Sequence, residues 1–162
     1  MGSWEVDADR RQSVILFLYE SGLISKGSPV INLETANLRS AILVGNNMRN
    51  VDLSGAELIA AALQYSDLQG ANLTNANLGN AHLTGADLRG ADLSGAQPLI
   101  TELCNTKLDG ANLSGVDVSA GPPWCKITQE QIDRAYGDES TKIPGNLKRP
   151  ESWTKSIDEQ SR

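Results

Sequence analysis

Aromatic side chains make up only 4% of this 162-residue chain, with a single Phe and a single His. One imidazole supports neither a catalytic triad with a recognisable partner nor a metal site built on paired His ligands. There are two cysteines, Cys104 and Cys125, too few for the disulfide framework of a small secreted domain. Two reduced thiols in a reducing, cytoplasmic setting are the expectation. Long apolar runs are also missing. The longest covers residues 14–19, against the roughly 20 residues a spanning helix needs, so no membrane insertion by this chain is expected. Arg10-Arg11 precedes that run, but Glu20 follows it directly with no small-residue cleavage site, so it does not read as an export signal. Excess positive charge is absent as well. With 14 Lys+Arg against 20 Asp+Glu the net charge is −6, which disfavours non-specific binding to nucleic acid or anionic membrane.

What the chain does have is a period of five. Counting from Leu33, Leu fills 15 of 18 consecutive slots to residue 118, with Met48, Pro98 and Val118 in the other three. Ala stands two residues before the slot in 11 cases, among them Ala71, Ala81 and Ala91. On an α-helix, steps of five rotate each Leu by about 140°, so no apolar stripe forms. On a straight strand, odd steps alternate the two faces. The pattern works if about three residues run extended and the chain then turns a corner. Positions i−2 and i then face inward. The Asn, Asp, Ser, Thr and Gly at i−1, i+1 and i+2 supply the turn chemistry and the outer surface.

The repeat A-(D/N)-L-x-x, held in register over residues 31–120, resembles that of the pentapeptide-repeat family. The resemblance implies an all-β solenoid: a right-handed quadrilateral β-helix with four pentapeptides per coil. Eighteen repeats then make about 4.5 coils, a rod roughly 20 Å tall. Residues 20 apart would stack. Asn32, Asp52, Asn72, Asp92 and Asn112 then form one polar ladder, read as structural because such groups cap local backbone. Asn47, Asp67, Asp87 and Lys107, beside Arg49, Arg89 and Asp109, form a self-neutralising solvated face with no metal-ligand spacing.

Two departures from the repeat stand out. Pro98 occupies a Leu slot, which predicts a bulge or protruding turn with Leu99 or Ile100 taking over the core position. Apolar residues also stand at outer positions: Ile59, Leu99 and Ile100 on one face, and Ile42, Val44, Ala62 and Tyr65 on the next. Such a patch needs a cover, supplied by a partner or by the tethered C-terminal tail, the tail being favoured.

The ends differ from the rod. Residues 1–8 read as an added, disordered leader. Residues 9–24 read as an amphipathic helix with Val14, Phe17, Leu18 and Tyr19, closed by Gly22. Its sequence is similar to the segment that precedes the repeats in many bacterial, especially cyanobacterial, members, and it is expected to plug the first coil. In some such members the segment follows a membrane-spanning region. If this chain is a piece of a longer protein, a membrane-attached parent stays open. After residue 120 the repeat stops at Gly121-Pro122-Pro123. Thr128-Gln129-Glu130-Gln131 reads as a capping box opening a helix to about Tyr136, with Gly137 as its stop. Residues 121–153 are expected to pack on the solenoid, and 154–162 to be disordered. Gly137-Asp138-Glu139, Thr141-Lys142-Ile143-Pro144 and Arg149-Pro150 resemble a tail found on many bacterial pentapeptide-repeat proteins.

No catalytic, cofactor-binding or metal-binding constellation is legible. His82 and Cys104 fall at outward positions, and the recurring Gly residues serve turns, not a phosphate loop. The reading is a non-catalytic scaffold or protein–protein interaction module, a monomer with a protein partner, no nucleic acid and no cofactor. The candidate surface is Ile42, Val44, Ile59, Tyr65, Leu99 and Ile100. The alternative is an acidic DNA mimic acting on a topoisomerase such as DNA gyrase, as some family members do. Against it stand the absence of Phe from the central slots, the short rod, and Arg39, Arg49, Arg89 and Lys107 interleaved with the acids.

Overall fold

The computed structural model describes residues 33–99 and 101–154. The expected leader over 1–8, the helix over 9–24, Ile100 and residues 155–162 lie outside them.

From Leu33 onward the chain turns a corner every five residues. At each described i+2 position from Thr35 to Gly115, φ is positive, between 56° and 73°. Eight of these corner residues are Gly and four are Asn, the types that enter left-handed backbone most easily. A bond across each corner, such as Ala41 N donating to Leu38 O at 3.1 Å, closes the turn.

Between corners only a short extended piece remains, so pairing takes the form of single parallel bridges between positions 20 apart. One row runs Asn37, Glu57, Asn77, Gln97; others start at Ile42, Asn47 and Asp52. Corners every five residues and bridges every 20 define a four-sided parallel β-solenoid. Its ladder is regular: Leu38 N donates to Glu57 O (2.8 Å), and Glu57 N donates to Ala36 O (2.9 Å). The four sides are named here by their first bridged residues: the Asn37, Ile42, Asn47 and Asp52 faces.

Inside, Leu43, Leu53, Leu63, Leu73 and Leu83 are fully buried, as are Ala41, Ala61 and Ala81. The hydroxyls of Ser66 and Thr106, at inward i−2 positions, are satisfied locally. Ser66 Oγ donates to Leu63 O (2.7 Å), and Thr106 Oγ1 to Leu103 O (2.6 Å). Asn46 Nδ2 in the same column is left without a partner.

Pro98 does not produce the expected bulge. The proline is itself buried in the Leu slot, and Leu99 points outward, 62% exposed. Register holds on both sides, with Gln97 N on Ala76 O (2.9 Å) and Thr101 N on Pro98 O (3.0 Å). A compact apolar ring occupies the slot, so the change costs one ladder donor while the position stays inside. Among the described residues no bridge joins Gln97 to Asp117, as that missing donor requires.

The C-terminal segment does not lie along the side of the rod. It makes one irregular circuit over the open C-terminal end. Residues 121–127 pass over the Ile42 face, and Cys125 is disulfide-bonded to Cys104 there. Helix α1, Gln129–Arg134, then crosses the Asn47 side. Its capping box is present, with Gln131 N on Thr128 Oγ1 (3.3 Å) and Thr128 N on Gln131 Oε1 (2.8 Å). Gln131 Nε2 also donates to Leu103 O and Thr106 O, both at 2.9 Å, tying the helix to the last coil. Tyr136 bridges to Asn112 and Lys142 to Asp117, which continues the ladder on the remaining two sides.

A short 3-10 helix, Glu151–Thr154, brings back Trp153, 2% exposed. Its indole lies on Gly137, where an added Cβ would sit 2.7 Å from Trp153 Cδ2. Gly137 is therefore there for close approach and is not the helix stop; α1 ends at Arg134 with Ala135 as its cap. Sealing the end this way buries Ile127, Ile132 and Trp153 and covers backbone groups the last coil would otherwise expose.

Candidate functional site

Three of the four faces read as surface structure. On the Asp52 face Asn72 Nδ2 donates to Asp52 Oδ1 and Asn112 Nδ2 to Asp92 Oδ1, each at 3.1 Å. The same carboxylates accept from Ser54 N (3.0 Å) and Ser94 N (2.9 Å), so the ladder caps its own turns. The Asn37 face carries Arg39 against Glu57 (3.3 Å) and, further up, Ile59 and Leu99 on either side of Gly79.

The Asn47 face is a charge network. Arg89 grips Asp87 with two bonds, Nε to Oδ1 (2.8 Å) and Nη2 to Oδ2 (2.7 Å), while Lys107 Nζ reaches Oδ2 at 3.2 Å. The Arg89 guanidinium, with help from Lys107, holds the Asp87 carboxyl at about 2 against an ordinary 3.8. A lowered carboxylate pKa contributes stability that is complete above about pH 4 and lost as the pH falls towards 2. Arg89 and Lys107 are about half exposed, so solvent screening leaves this contribution at about 1 kcal/mol. Asp87→Asn is expected to flatten the acid limb of the unfolding profile between about pH 4 and 2. An unchanged slope there would show that the network is cosmetic.

The Ile42 face is different. Its pentapeptide positions hold one formal charge, Glu102, besides His82, whereas residues 46–50, 66–70, 86–90 and 106–110 of the Asn47 face hold six. Ile42 is 39% exposed, Val44 45% and Tyr65 69%. Tyr65 takes a left-handed corner (φ 59°), costly for a bulky residue, and its ring covers Gly85, where a Cβ would lie 2.6 Å from Tyr65 Cδ1. Further along, His82 Nδ1 lies 3.1 Å from Glu102 Oε2. Hydrogen bonding to His82, joined by bonds from Trp124 and Thr84, draws the Glu102 carboxyl below its usual range. Exposed Trp124 and the disulfide complete the strip.

The sequence-predicted patch is thus split. Ile42, Val44 and Tyr65 share one face; Ile59, half-buried, and Leu99 share the next; Ile100 is not among the described residues. The tail leaves Ile42, Val44, Tyr65 and Leu99 exposed, because its Ile127, Ile132 and Trp153 are used at the rod's end. The expectation of two reduced thiols is overturned. The tail brings Cys125 over Cys104 with Cα atoms 4.9 Å apart, within disulfide range, and with it the cysteine argument for a reducing compartment loses its ground. The His82–Glu102 pair escaped sequence reading although the spacing of 20 contained it.

The family model for pentapeptide repeats matches residues 31–70 and 66–97, in eight copies. The solenoid belongs to the pentapeptide-repeat family. No curated protein matches the sequence. Among solved structures, the pentapeptide-repeat chain is similar to a pentapeptide repeat protein from the Arabidopsis thaliana thylakoid lumen, at 23% identity and a TM-score of 0.46, over 67% of this chain and 72% of that one. It is similar to a pentapeptide repeat protein from Nostoc Pcc 7120 at 25% identity and a TM-score of 0.42, over 84% and 87%. QnrB1, a plasmid-mediated fluoroquinolone resistance protein, shares 17% identity with a TM-score of 0.49, over 69% of this chain and 55% of that one. Among the described residues of this pentapeptide-repeat protein, no cluster of His, Cys, Asp and Glu fits a metal ion, and no helix is long and apolar enough to cross a membrane.

Proposed function

We propose that this pentapeptide-repeat rod is a non-catalytic interaction module that binds a protein partner through its Ile42 face. The observation that carries this reading is the contrast between faces: the other three satisfy their polar groups among themselves, while this one leaves Ile42, Val44 and Tyr65 in solvent with almost no charge around them. A Leu-filled interior leaves the outer faces as the working surface. Right-handed winding and a helix closing the N-terminal end belong to the same reading, as the family resemblance implies. The acidic DNA-mimic alternative has net charge −6 in its favour. It is weakened by the Asn47 face, where Arg49, Arg89, Lys107 and Arg134 each pair with a carboxylate and cancel the field a duplex mimic needs.

The test compares proteins retained from the native host's extract by the wild-type chain, by Ile42→Ser/Tyr65→Ser, and by Arg49→Ser/Arg89→Ser. Loss of a retained protein with the first variant alone, at unchanged melting temperature, supports the Ile42 face. Loss with the second alone moves the site to the charged face. Inhibition of gyrase supercoiling by the wild-type chain would favour the mimic.

A further inference from the structure

On three sides the C-terminal cap is joined to the last coil by backbone hydrogen bonds: Gly110 N to Arg134 O (2.8 Å), Tyr136 N to Ala111 O (2.7 Å) and Lys142 N to Val116 O (2.9 Å). On the Ile42 side the ladder is missing. Residues 121–127 make one backbone bond, internal to the segment, Cys125 N to Pro122 O (3.0 Å). Their links to the coil beneath are the Cys104–Cys125 disulfide, the bond from Cys104 N to Cys125 Sγ (2.9 Å), a side-chain bond from Trp124 to Glu102 and the burial of Ile127 at the segment's end.

We propose that this disulfide is a reversible redox latch on the cap, opened by a protein or small-molecule dithiol. The geometry gives the opening a direction. Cys125 is 1% exposed while Cys104 is part-exposed, so an incoming thiolate reaches Cys104 Sγ. The S–S bond breaks with its electron pair going to Cys125 Sγ, which takes up a proton. The second thiol of the reductant attacks the mixed disulfide and releases Cys104 as a thiolate, which is protonated in turn. Two electrons pass to the protein, and the dithiol becomes a disulfide. Thr84 Oγ1 stands beside both sulfurs, 3.4 Å from Cys104 Sγ and 3.9 Å from Cys125 Sγ. Its hydrogen, otherwise directed at Glu102 Oε2 (3.3 Å), can turn to a departing thiolate.

Opening is local. The ladder bonds at Arg134, Tyr136 and Lys142 and the buried Ile127 and Trp153 hold the rest of the cap in place, so what is freed is residues 121–126 with Trp124. These lie on the same nearly uncharged face as Ile42, Val44 and Tyr65. Reduction therefore gives that face a second form, whichever partner it meets.

Hydrogen exchange of the oxidised full chain, with and without dithiothreitol in native buffer, tests this. Two thiols are expected to titrate without denaturant. Exchange at the Cys104 and Cys125 amides should rise by at least about tenfold, while Tyr136 and Lys142 keep their protection and reoxidation reverses the change. A Cys104→Ser/Cys125→Ser variant should show the reduced pattern with no reductant. If thiols appear only as fast as the rod unfolds, or Tyr136 and Lys142 lose protection together with Cys104 and Cys125, the bond is a staple of the whole cap and the latch is wrong. A variant that exchanges like the oxidised chain overturns it equally.

Discussion

Trp153→Ala is expected to cost the cap about 3–5 kcal/mol, the usual range for emptying a buried Trp site. The indole is 2% exposed, packs flat on Gly137, and its Nε1 donates to Ala135 O at 3.0 Å. Truncation removes the largest apolar side chain at the rod's end and leaves the Ala135 carbonyl unpaired. How the cost appears depends on the architecture. In a solenoid each unit contacts only its neighbours, so a terminal unit can open while the others stay folded. Residues 128–153 should therefore lose exchange protection and become sensitive to protease, with the coils around Leu63 and Leu83 unchanged. Gly137→Ala should do the same through a clash with the ring. A cap that stays protected in both variants would show that Trp153 is not its anchor.

Leu83→Ala should cost about 2–5 kcal/mol in a different way. Leu83 is fully buried in the middle of the rod, stacked between Leu63 and Leu103. A solenoid cannot collapse around the gap without shortening ladder bonds such as Leu83 N to Glu102 O (3.1 Å), so most of the cavity should persist. Because the lesion is interior, it should lower the main chemical denaturation midpoint and not detach one end. Ser94→Ala is the control: its backbone N–H keeps Asp92 Oδ1 at 2.9 Å, and no core volume is lost. That change should stay within about 0.5 kcal/mol. Equal effects from Leu83 and Ser94 would break the assignment of slots to inside and outside.

The family model bears out the family and the structure the four-sided solenoid, and both are legible because the rule that makes them is local. Each pentapeptide repeats the same instruction: Ala and Leu inward, a turn former after them. The Thr128 capping box was legible for the same reason, since its partners lie three residues apart. Pro98 differs from the expected bulge because the loss of an N–H is legible in the sequence and the fit of the ring in the slot is not. The tail's seat is not legible because apolar residues alone do not say which surface has unpaired backbone to offer. An open coil end presents donors and acceptors as well as Leu side chains, and the lateral patch presents only side chains.

By itself, then, the sequence determined the repeat, the inward and outward positions over residues 33–118, and the apolar residues at outer positions on two adjacent faces. Periodicity carries that information, because repeated local preferences add up along the chain. Only the tertiary structure decided the path of residues 121–153, the pairing of Cys104 with Cys125, and the seat of Trp153. That segment has no period. Its conformation is selected by the shape and unpaired groups of the coil it closes, and those exist only once the rod has formed.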